Sequence, residues 1–542
     1  MKRAGALSKL SPVTGPQGSL AVRRAVQDME YLIGIDIGTT GAKTVLFGAD
    51  GSTVASAFEE YPLRHPRPGW AEQDPQDWWD ATVKTIRRVL QISRVEPTSL
   101  RGLGLSGQMH GAVLLGRDRQ VLRPCIIWSD QRSAAQAEWI TNTVGRERLL
   151  QIACNPALTG FTAPKALWVR DNEPQIWDQV ATLFLPKDYV RFRLTGEIAS
   201  EVSDDAGTLL FDVHHRRWSD ELCRLMGIPR NWLPPVYESI DVCGRITQEV
   251  ATLTGLPANL PVVGGGADNT CGAVGNGIVR QGLVSSSIGT SGVVFAHTDD
   301  VRLDPLGRAH TFNHSVPHKW YMMGVTQGAG ISLRWLRDQF GAIEREVARL
   351  IREDPYELLM REAATAPTGS EGLIFAPYLQ GERTPHLDPE ARGVLFGLTA
   401  RHERRHVVRS ILEGVAYSLR DSFEIIKEQG IQITQVRATG GGARSALWRQ
   451  IQSDVFDSEL AMVNTTEGPA FGAALLAAVG TGIYGTVEEA CDVTIRVTNH
   501  IRPIPAHVER YNRYYPVYRA LYPALKNLMH ITGEIVAHEG VE

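Results

Sequence analysis

The stretch "IGIDIGTTGAK", Ile33 to Lys43, sets an aspartate among apolar residues and then breaks into Gly38-Thr39-Thr40-Gly41 before resuming with Ala42 and Lys43. Its flanks read as strands: "YLIGID" before the break, and "AKTVLFGADGSTVASAFEE" after it, folding back at the Asp50-Gly51 turn signal. A glycine-threonine turn between two strands exposes backbone N–H groups and hydroxyls without side-chain bulk, which makes it a cradle for an anion.

The theme returns in the second half. "SIGTSGVVFAHTDD", Ser287 to Asp300, places Gly289-Thr290-Ser291-Gly292 between two more strand-like runs, 251 residues after the first turn. An echo at nearly half of 542 residues is what a duplication into two lobes gives. Length agrees, because at roughly 150 residues per domain this chain exceeds one core. Strand-like runs such as "LRGLGLSG" alternate with helical ones such as "WWDATVKTIRRVLQI" and "AAQAEWITNTV", which predicts α/β layers. Two later helical runs, "ERRHVVRSILEGVAYSLRDSFEIIKEQ" and "PAFGAALLAAV", are expected to close the second lobe.

Composition excludes several classes of function. With 43% hydrophobic and 21% charged residues the chain has the profile of a folded soluble protein. A formal net charge of -4 and the lack of a basic stripe argue against a nucleic-acid partner. No apolar run approaches the roughly 18 to 20 residues of a membrane span. Six cysteines (Cys125, Cys154, Cys223, Cys243, Cys271 and Cys491) lie far apart without a C-x-x-C, as reduced thiols in a cytoplasmic protein would. The first thirty residues are basic and lack a continuous apolar segment, so they read as a flexible extension rather than a secretory signal, with Met29 as the functional start.

Three motifs invite other readings. Gly41-Ala42-Lys43-Thr44 nearly spells a phosphate-binding P-loop, but a strand follows where that motif must open a helix. "GLGLSG", Gly102 to Gly107, matches G-x-G-x-x-G, but its glycines lie inside a strand, so close backbone packing explains them better. "HERRH", His402 to His406, matches a zinc motif, but arginines at 401, 404, 405 and 409 oppose a divalent cation; a surface helix is expected. Cys271 and Ser291 have no histidine base nearby in sequence and are read as structural.

Two cradles, one per lobe, can grip one polyphosphate from both sides. Asp36, on the strand entering the first, is then placed to hold Mg²⁺, a cation that binds one or two carboxylates plus phosphates and keeps several waters. The cluster Gly440-Gly441-Gly442 offers bare backbone on which a purine or ribose can lie flat, or else a site of helix packing. Asp268 and Asn269 follow three glycines in "GGGADNTCGAVGNG", where a carboxylate can take the proton of an attacking hydroxyl, or simply form a turn.

These residues resemble the FGGY family of carbohydrate kinases, within the actin-like ATPase superfamily, from about Tyr31 to Tyr522. "GVLFGLTARHERRHVVRSILEGVAYSL", Gly393 to Leu419, fits the family's C-terminal signature throughout, and "GFTAPKALWVRDN", Gly160 to Asn172, departs from the other only at Ala166. Further carriers are "WAEQDPQDWW", "GQMHG", "WSDQR", "LPKDY", "SDDAGT", "YLQGERTPH" and "GGGARS". The resemblance implies two ribonuclease-H-like lobes around a central cleft, each with a mixed five-stranded sheet: residues 31–275 as the sugar-binding lobe and 276–542 as the nucleotide-binding lobe. It implies Asp268 as general base and Asp36 as the magnesium-associated carboxylate. It places Met109, His110 and Asn269 on the sugar, with Trp128 and Asp130 nearby. Gly38, Thr39, Thr40, Lys43, Gly289, Thr290 and Ser291 would hold the phosphates, and Gly440, Gly441, Gly442 and Arg444 the rest of ATP.

The implied partners are D-xylulose and ATP with Mg²⁺, with a homodimer left open. Glycerol drops down the order, because glycerol kinases carry Arg-Glu where this chain has Met109-His110. Another ketose or polyol, such as ribulose or a tetritol, and a non-catalytic actin-like nucleotide-binding module are the alternatives that remain.

Overall fold

The computed structural model describes residues 30–539. The extension and Met29 start read above lie outside the described residues. Strands β1 (Tyr31–Ile37) and β2 (Gly41–Gly48) pair antiparallel through the first glycine-threonine turn, β3 (Thr53–Glu60) continues the meander, and β4 (Leu100–Gly107) runs parallel to β1 on its other side. With β5 (Val242–Arg245), β6 (Pro261–Val263) and β7 (Gly266–Ala267) they make a seven-stranded sheet in the order β5-β6-β4-β1-β2-β3, β7 also pairing with β4.

The second half repeats the plan. β8 (Leu283–Ile288) and β9 (Gly292–Thr298) flank the second turn, and β10 (His310–Asn313), β11 (Trp320–Thr326), β12 (Gln435–Gly440), β13 (Leu460–Val463) and β14 (Val497–Ile501) give the order β10-β11-β9-β8-β12-β13-β14. Each sheet thus contains one five-strand core, β3-β2-β1-β4-β6 in the first and β11-β9-β8-β12-β13 in the second, antiparallel on one side and parallel on the other. The expected five strands per lobe are these cores; the additional strands are pieces of two to five residues, too short to carry a strand pattern in sequence.

Helix α1 (Pro75–Ser93) shows how sequence sets local structure. Asp74 caps it by accepting from the Gln76 N–H at 3.0 Å, Pro75 fits the first turn, and Trp78, Thr82, Ile86 and Val89 recur at helical spacing to bury one face. The other helices that shape the site are α2 (Asp268–Gly275), α3 (Arg404–Glu428), α4 (Ala446–Phe456), α5 (Gly468–Gly480) and α6 (Pro505–Glu539).

Two sequence expectations change here. Helix α5, expected to close the second lobe, packs on the first sheet: its alanines and Phe471 share a core with Leu32, Val45, Phe47 and Val263. A β-carbon at Gly34 or Gly104 would fall 1.8 Å from the Ala470 carbonyl oxygen or 2.0 Å from that of Ala473, so strands β1 and β4 touch α5 backbone to backbone. The same holds between α2 and α5, where β-carbons at Gly472 and Gly275 would meet the Cys271 and Gly468 carbonyl oxygens at 1.8 and 2.1 Å. An all-round apolar helix announces burial between layers but not which sheet it lies on. The second change concerns "HERRH". His402 precedes α3, His406 accepts from the Glu403 N–H at 3.0 Å in a capping box, and most of the helix beyond is buried rather than on the surface.

All six cysteines are buried and free, and among the described residues no helix is long and apolar enough to cross a membrane. Because the α5 contacts leave no space for a methyl group, Gly104→Ala and Gly472→Ala are each expected to lower the unfolding free energy by about 2 kcal/mol or more. Gly272→Ala, whose added carbon would meet Pro469 at an ordinary 3.7 Å, serves as the control. Denaturant melts of the three variants check this, and equal stability in all three would contradict the backbone contact.

Candidate active site

The two turns are built alike. In the first, every carbonyl is tied back into the protein: Gly38 O accepts from Tyr61 Oη and from Gln108 Nε2 (3.3 Å), Thr39 O from Gln73 Nε2 (2.7 Å), Thr40 O from Tyr61 N (3.3 Å) and Gly41 O from Gly38 N (3.1 Å). In the second, Gly289 O and Thr290 O accept from Gly330 N and Ile331 N at 2.9 and 3.1 Å, and Ser291 O from Gly289 N at 3.0 Å. Among the described residues no acceptor takes the N–H groups of Thr39, Thr40, Thr290 or Ser291. With the carbonyls turned inward and donors left outward, each turn attracts negative charge. Gln73, Gln108 and Tyr61 perform this work and were not singled out from sequence, although "WAEQDP" and "GQMHG" contain the two glutamines.

Two carboxylates face this region. Asp36 ends β1 beside Lys43 in the ladder, and its buried Oδ1 has no partner. Burial raises its pKa, against the opposing pull of Ser106 and Lys43. Asp268 opens α2 and accepts from the Asn269 N–H at 2.7 Å. Its pKa is pushed up to about 7, first by burial and then by the charge of Asp36, with the Asn269 N–H pulling the other way. An orphaned carboxylate oxygen on Asp36, within the field of a second acid and beside the first anion cradle, fits a hydrated Mg²⁺ held jointly with phosphates. No cluster of three or more acids, histidines or cysteines capable of holding a metal by itself occurs among the described residues. Lys43 pairs with Glu467 at 2.6 Å, joining the strand behind the first turn to the start of α5.

Met109 lies beside the start of α2, with His110 next to it in sequence. Asn269 Nδ2 donates to Met109 Sδ at 3.6 Å. His110 adopts φ 69°, and its Nδ1 meets Gly207 O at 2.7 Å, so Nδ1 carries the proton and Nε2 is left as an acceptor. Burial, helped by the Lys165 charge, lowers its pKa to about 3, so the ring is neutral. Phe161 packs edge-on against it at 4.8 Å. Lys165 donates to the carbonyls of His110 (3.1 Å), Phe161 (2.9 Å) and Gly160, and burial brings its pKa down to about 7. Trp128 leaves part of its ring exposed and donates from Nε1 to Thr39 Oγ1 at 2.9 Å. Asp130 is fully buried, its oxygens occupied by Ala71 N and the Arg132 guanidinium, which makes it a framework group holding the Trp128 loop.

A cleft of about 690 Å³ runs from Asp268 and Asn269 past Ser287 to Gly440, Gly441 and Arg444. An adjoining cavity of about 330 Å³ is bordered by Thr290, Gly442, Arg444 and Trp448. β-Carbons at Gly440 and Gly442 would each come within 2.6 Å of Ile288, whereas Gly441 has only an ordinary 3.8 Å neighbour. Two of the three glycines therefore press this loop against the second turn, and the third leaves its backbone open to the cleft.

Two related sheets, paired anion cradles and a shielded carboxylate beside a polar pocket define a phosphotransferase with a small polyhydroxylated acceptor. Models described as the FGGY family of carbohydrate kinases, N-terminal and C-terminal domains, match residues 31–275 and 284–481, and the chain belongs to that family. It is 41% identical to a xylulose kinase from Bacillus subtilis (strain 168) over 92% of this chain and 98% of that protein. A gluconokinase from the same organism is 31% identical over 92% of this chain and 96% of its own length. A crystal structure of a "xyloylose kinase" from Brucella ovis superposes with a TM-score of 0.84 at 35% identity, over 92% of this chain and all of that one.

The raised carboxyl of Asp268 yields a linkage prediction. Its folded pKa of about 7 lies above the ordinary 3.8, so the folded form keeps a proton that the unfolded chain releases. The contribution of Asp268 to stability is therefore fully present below about pH 4 and is lost as pH rises through about 7. Asp268→Asn is expected to raise the melting temperature of ligand-free protein by a few degrees at pH 8 and not at pH 4. Melting curves at both values check it, and an equal effect at both would contradict the raised pKa.

Proposed function

We propose that the enzyme phosphorylates D-xylulose to D-xylulose 5-phosphate with ATP and Mg²⁺. The observation that carries the reading is Asp268, set at the junction of the Met109–His110 pocket and the nucleotide cleft with its pKa raised toward neutrality. Asp268 takes the proton from the 5-hydroxyl as that oxygen attacks the γ-phosphorus. Neutral His110 accepts a hydrogen bond from a sugar hydroxyl at Nε2, Asn269 fixes the chain beside the base, and Trp128 covers the first turn. Mg²⁺, when bound, neutralises phosphate charge; Asp36 is the residue that would hold it. Thr39, Thr40, Thr290 and Ser291 offer N–H groups to the phosphate oxygens, Lys43 braces the first turn through its ion pair to Glu467 rather than holding phosphate, and Gly441 and Arg444 border the nucleoside end. The sugar-binding part is residues 31–275 and the nucleotide-binding part 276–542, with α5 crossing between them, in a protein of the cytoplasm.

The full-length match to a xylulose kinase supports the ketose over a polyol, and the gluconokinase match makes an aldonate the reading to test against it. A coupled ADP assay across D-xylulose, D-ribulose, L-ribulose, gluconate and glycerol is expected to give the highest kcat/KM with D-xylulose. A higher value with another acceptor would replace the substrate. Asp268→Asn is expected to lower kcat by about a thousandfold or more while both substrates still bind. Turnover within tenfold of wild type would remove Asp268 from the role of base. The kcat/KM of the unmodified enzyme is expected to rise with pH through about 7 as Asp268 loses its proton; a flat profile from pH 5 to 8 would contradict that assignment.

A further inference from the structure

Arg383 is a half-buried cation on the loop that follows Glu382. Among the described residues its guanidinium forms no salt bridge and no hydrogen bond, and it keeps some access to solvent. The adjacent acid does not serve it: Glu382 spends Oε1 on the N–H groups of Gln327 (2.8 Å) and Arg383 itself (2.7 Å), and Oε2 on Thr326 Oγ1 (2.7 Å) and Ser418 Oγ (3.3 Å). The backbone around Arg383 is clamped to β11, with Thr384 N donating to Val325 O at 2.9 Å and Val325 N to Thr384 Oγ1 at 3.0 Å. From that fixed base in the second half, the guanidinium reaches the first: a β-carbon at Gly160 would stand 3.5 Å from Nη2 and 3.4 Å from Trp128 O. His110, His310 and Lys165 all feel its charge as a lowering of their own pKa values, so it stands beside the acceptor pocket.

A half-buried guanidinium without a partner, with donors only and always charged, favours oxygen acceptors. The surrounding groups supply none in the form of a counter-ion: both histidines are neutral and Lys165 is a donor. The base enters from the start of α2, beside Met109, whereas the guanidinium enters beside Gly160 and the Trp128 carbonyl, so the two come in from different walls of the pocket. We propose that Arg383, presented by the second half of the chain, positions the acceptor by donating hydrogen bonds to oxygens at the end remote from the reacting hydroxyl, the C1–C2 end of a 2-ketose. This rests on the ketose reading above. It gives the second half a part in sugar recognition as well as in holding nucleotide, so acceptor and nucleotide both favour the same approach of the two halves.

The test compares wild type with Arg383→Gln and Arg383→Lys, using D-xylulose, 1-deoxy-D-xylulose and glycerol as acceptors, and measures the KM for ATP and the sugar-independent ATP hydrolysis alongside. Arg383→Gln is expected to lose about ten- to a hundredfold in kcat/KM for D-xylulose, mainly through KM, with Arg383→Lys recovering part of it. The loss is expected to shrink with 1-deoxy-D-xylulose and to vanish with glycerol, which is too short to span the pocket, while the KM for ATP and the basal hydrolysis stay within twofold. An unchanged KM for D-xylulose, or an equal loss with all three acceptors, overturns the proposal. Failure of the wild type to use D-xylulose would overturn the substrate reading instead, and Arg383 would then be judged by the same comparison on the acceptor that the wild type prefers.

Discussion

The contact on which the arrangement depends is backbone against backbone: β1, β4 and α2 all press their glycines onto α5. Asp36 ends β1 and Asp268 begins α2, so one small-residue helix fixes the separation of the two carboxylates. Glycine is required because the approaching atoms are carbonyl oxygens of a helix, which cannot rotate aside as a side chain can. Lys43 adds a polar tie at the same place through Glu467, at the residue just before α5. The sequence segment read as part of one half is therefore the brace of the other, and the two carboxylates inherit their geometry from that brace.

This rigidity makes an electrostatically unfavourable site tolerable. Asp36 is buried with an unpaired oxygen and Asp268 is raised by its neighbour, so neither acid has a cation of its own strong enough to satisfy it. A flexible scaffold would relax by letting one carboxylate swing to solvent or to a lysine. Here the cost is retained in the free protein, and on the proposed mechanism a phosphate-bound cation and the substrate proton would relieve it, the arrangement expected where binding energy is to appear in the transition state. Tying the carbonyls of both turns inward has the same logic, because only the donors remain facing the anion.

The fold was legible to the extent that local chemistry encodes it. Two Gly-Thr-Thr/Ser-Gly turns at half-chain spacing announced the duplicated sheets, and the glycines of "GLGLSG" were correctly assigned to close packing because they sit within a strand pattern. What escaped was long-range. Nothing in "PAFGAALLAAV" says which sheet it covers, and nothing in "WAEQDP" says that Gln73 will bond Gln108 and Thr39 from across the lobe. Asp130, suggested near the sugar by its "WSDQR" setting, has its oxygens taken by Arg132 and Ala71, partners visible only once the chain is folded. The "HERRH" segment is mostly exposed or half-buried, as its arginines suggested; what its charges did not announce is that the helix turns inward beyond it, with Arg409 buried in an ion pair to Glu413 at 2.7 Å.

The Arg383 loop shows how the same economy extends to the other side of the pocket. Glu382 and Asp388 close it with reciprocal N–H to carbonyl bonds of 2.8 Å, and Asp388 in turn accepts from Tyr522 Oη (2.6 Å) and contacts His530 Nε2 (2.7 Å) on α6. His386 stacks on Tyr522 at 3.6 Å. The loop is thus braced by a helix more than a hundred residues further along the chain, in the way that α5 braces the carboxylates. In both cases a polar group without a protein partner is held by a backbone that distant helices brace, so its position is set before a ligand arrives to meet its demand.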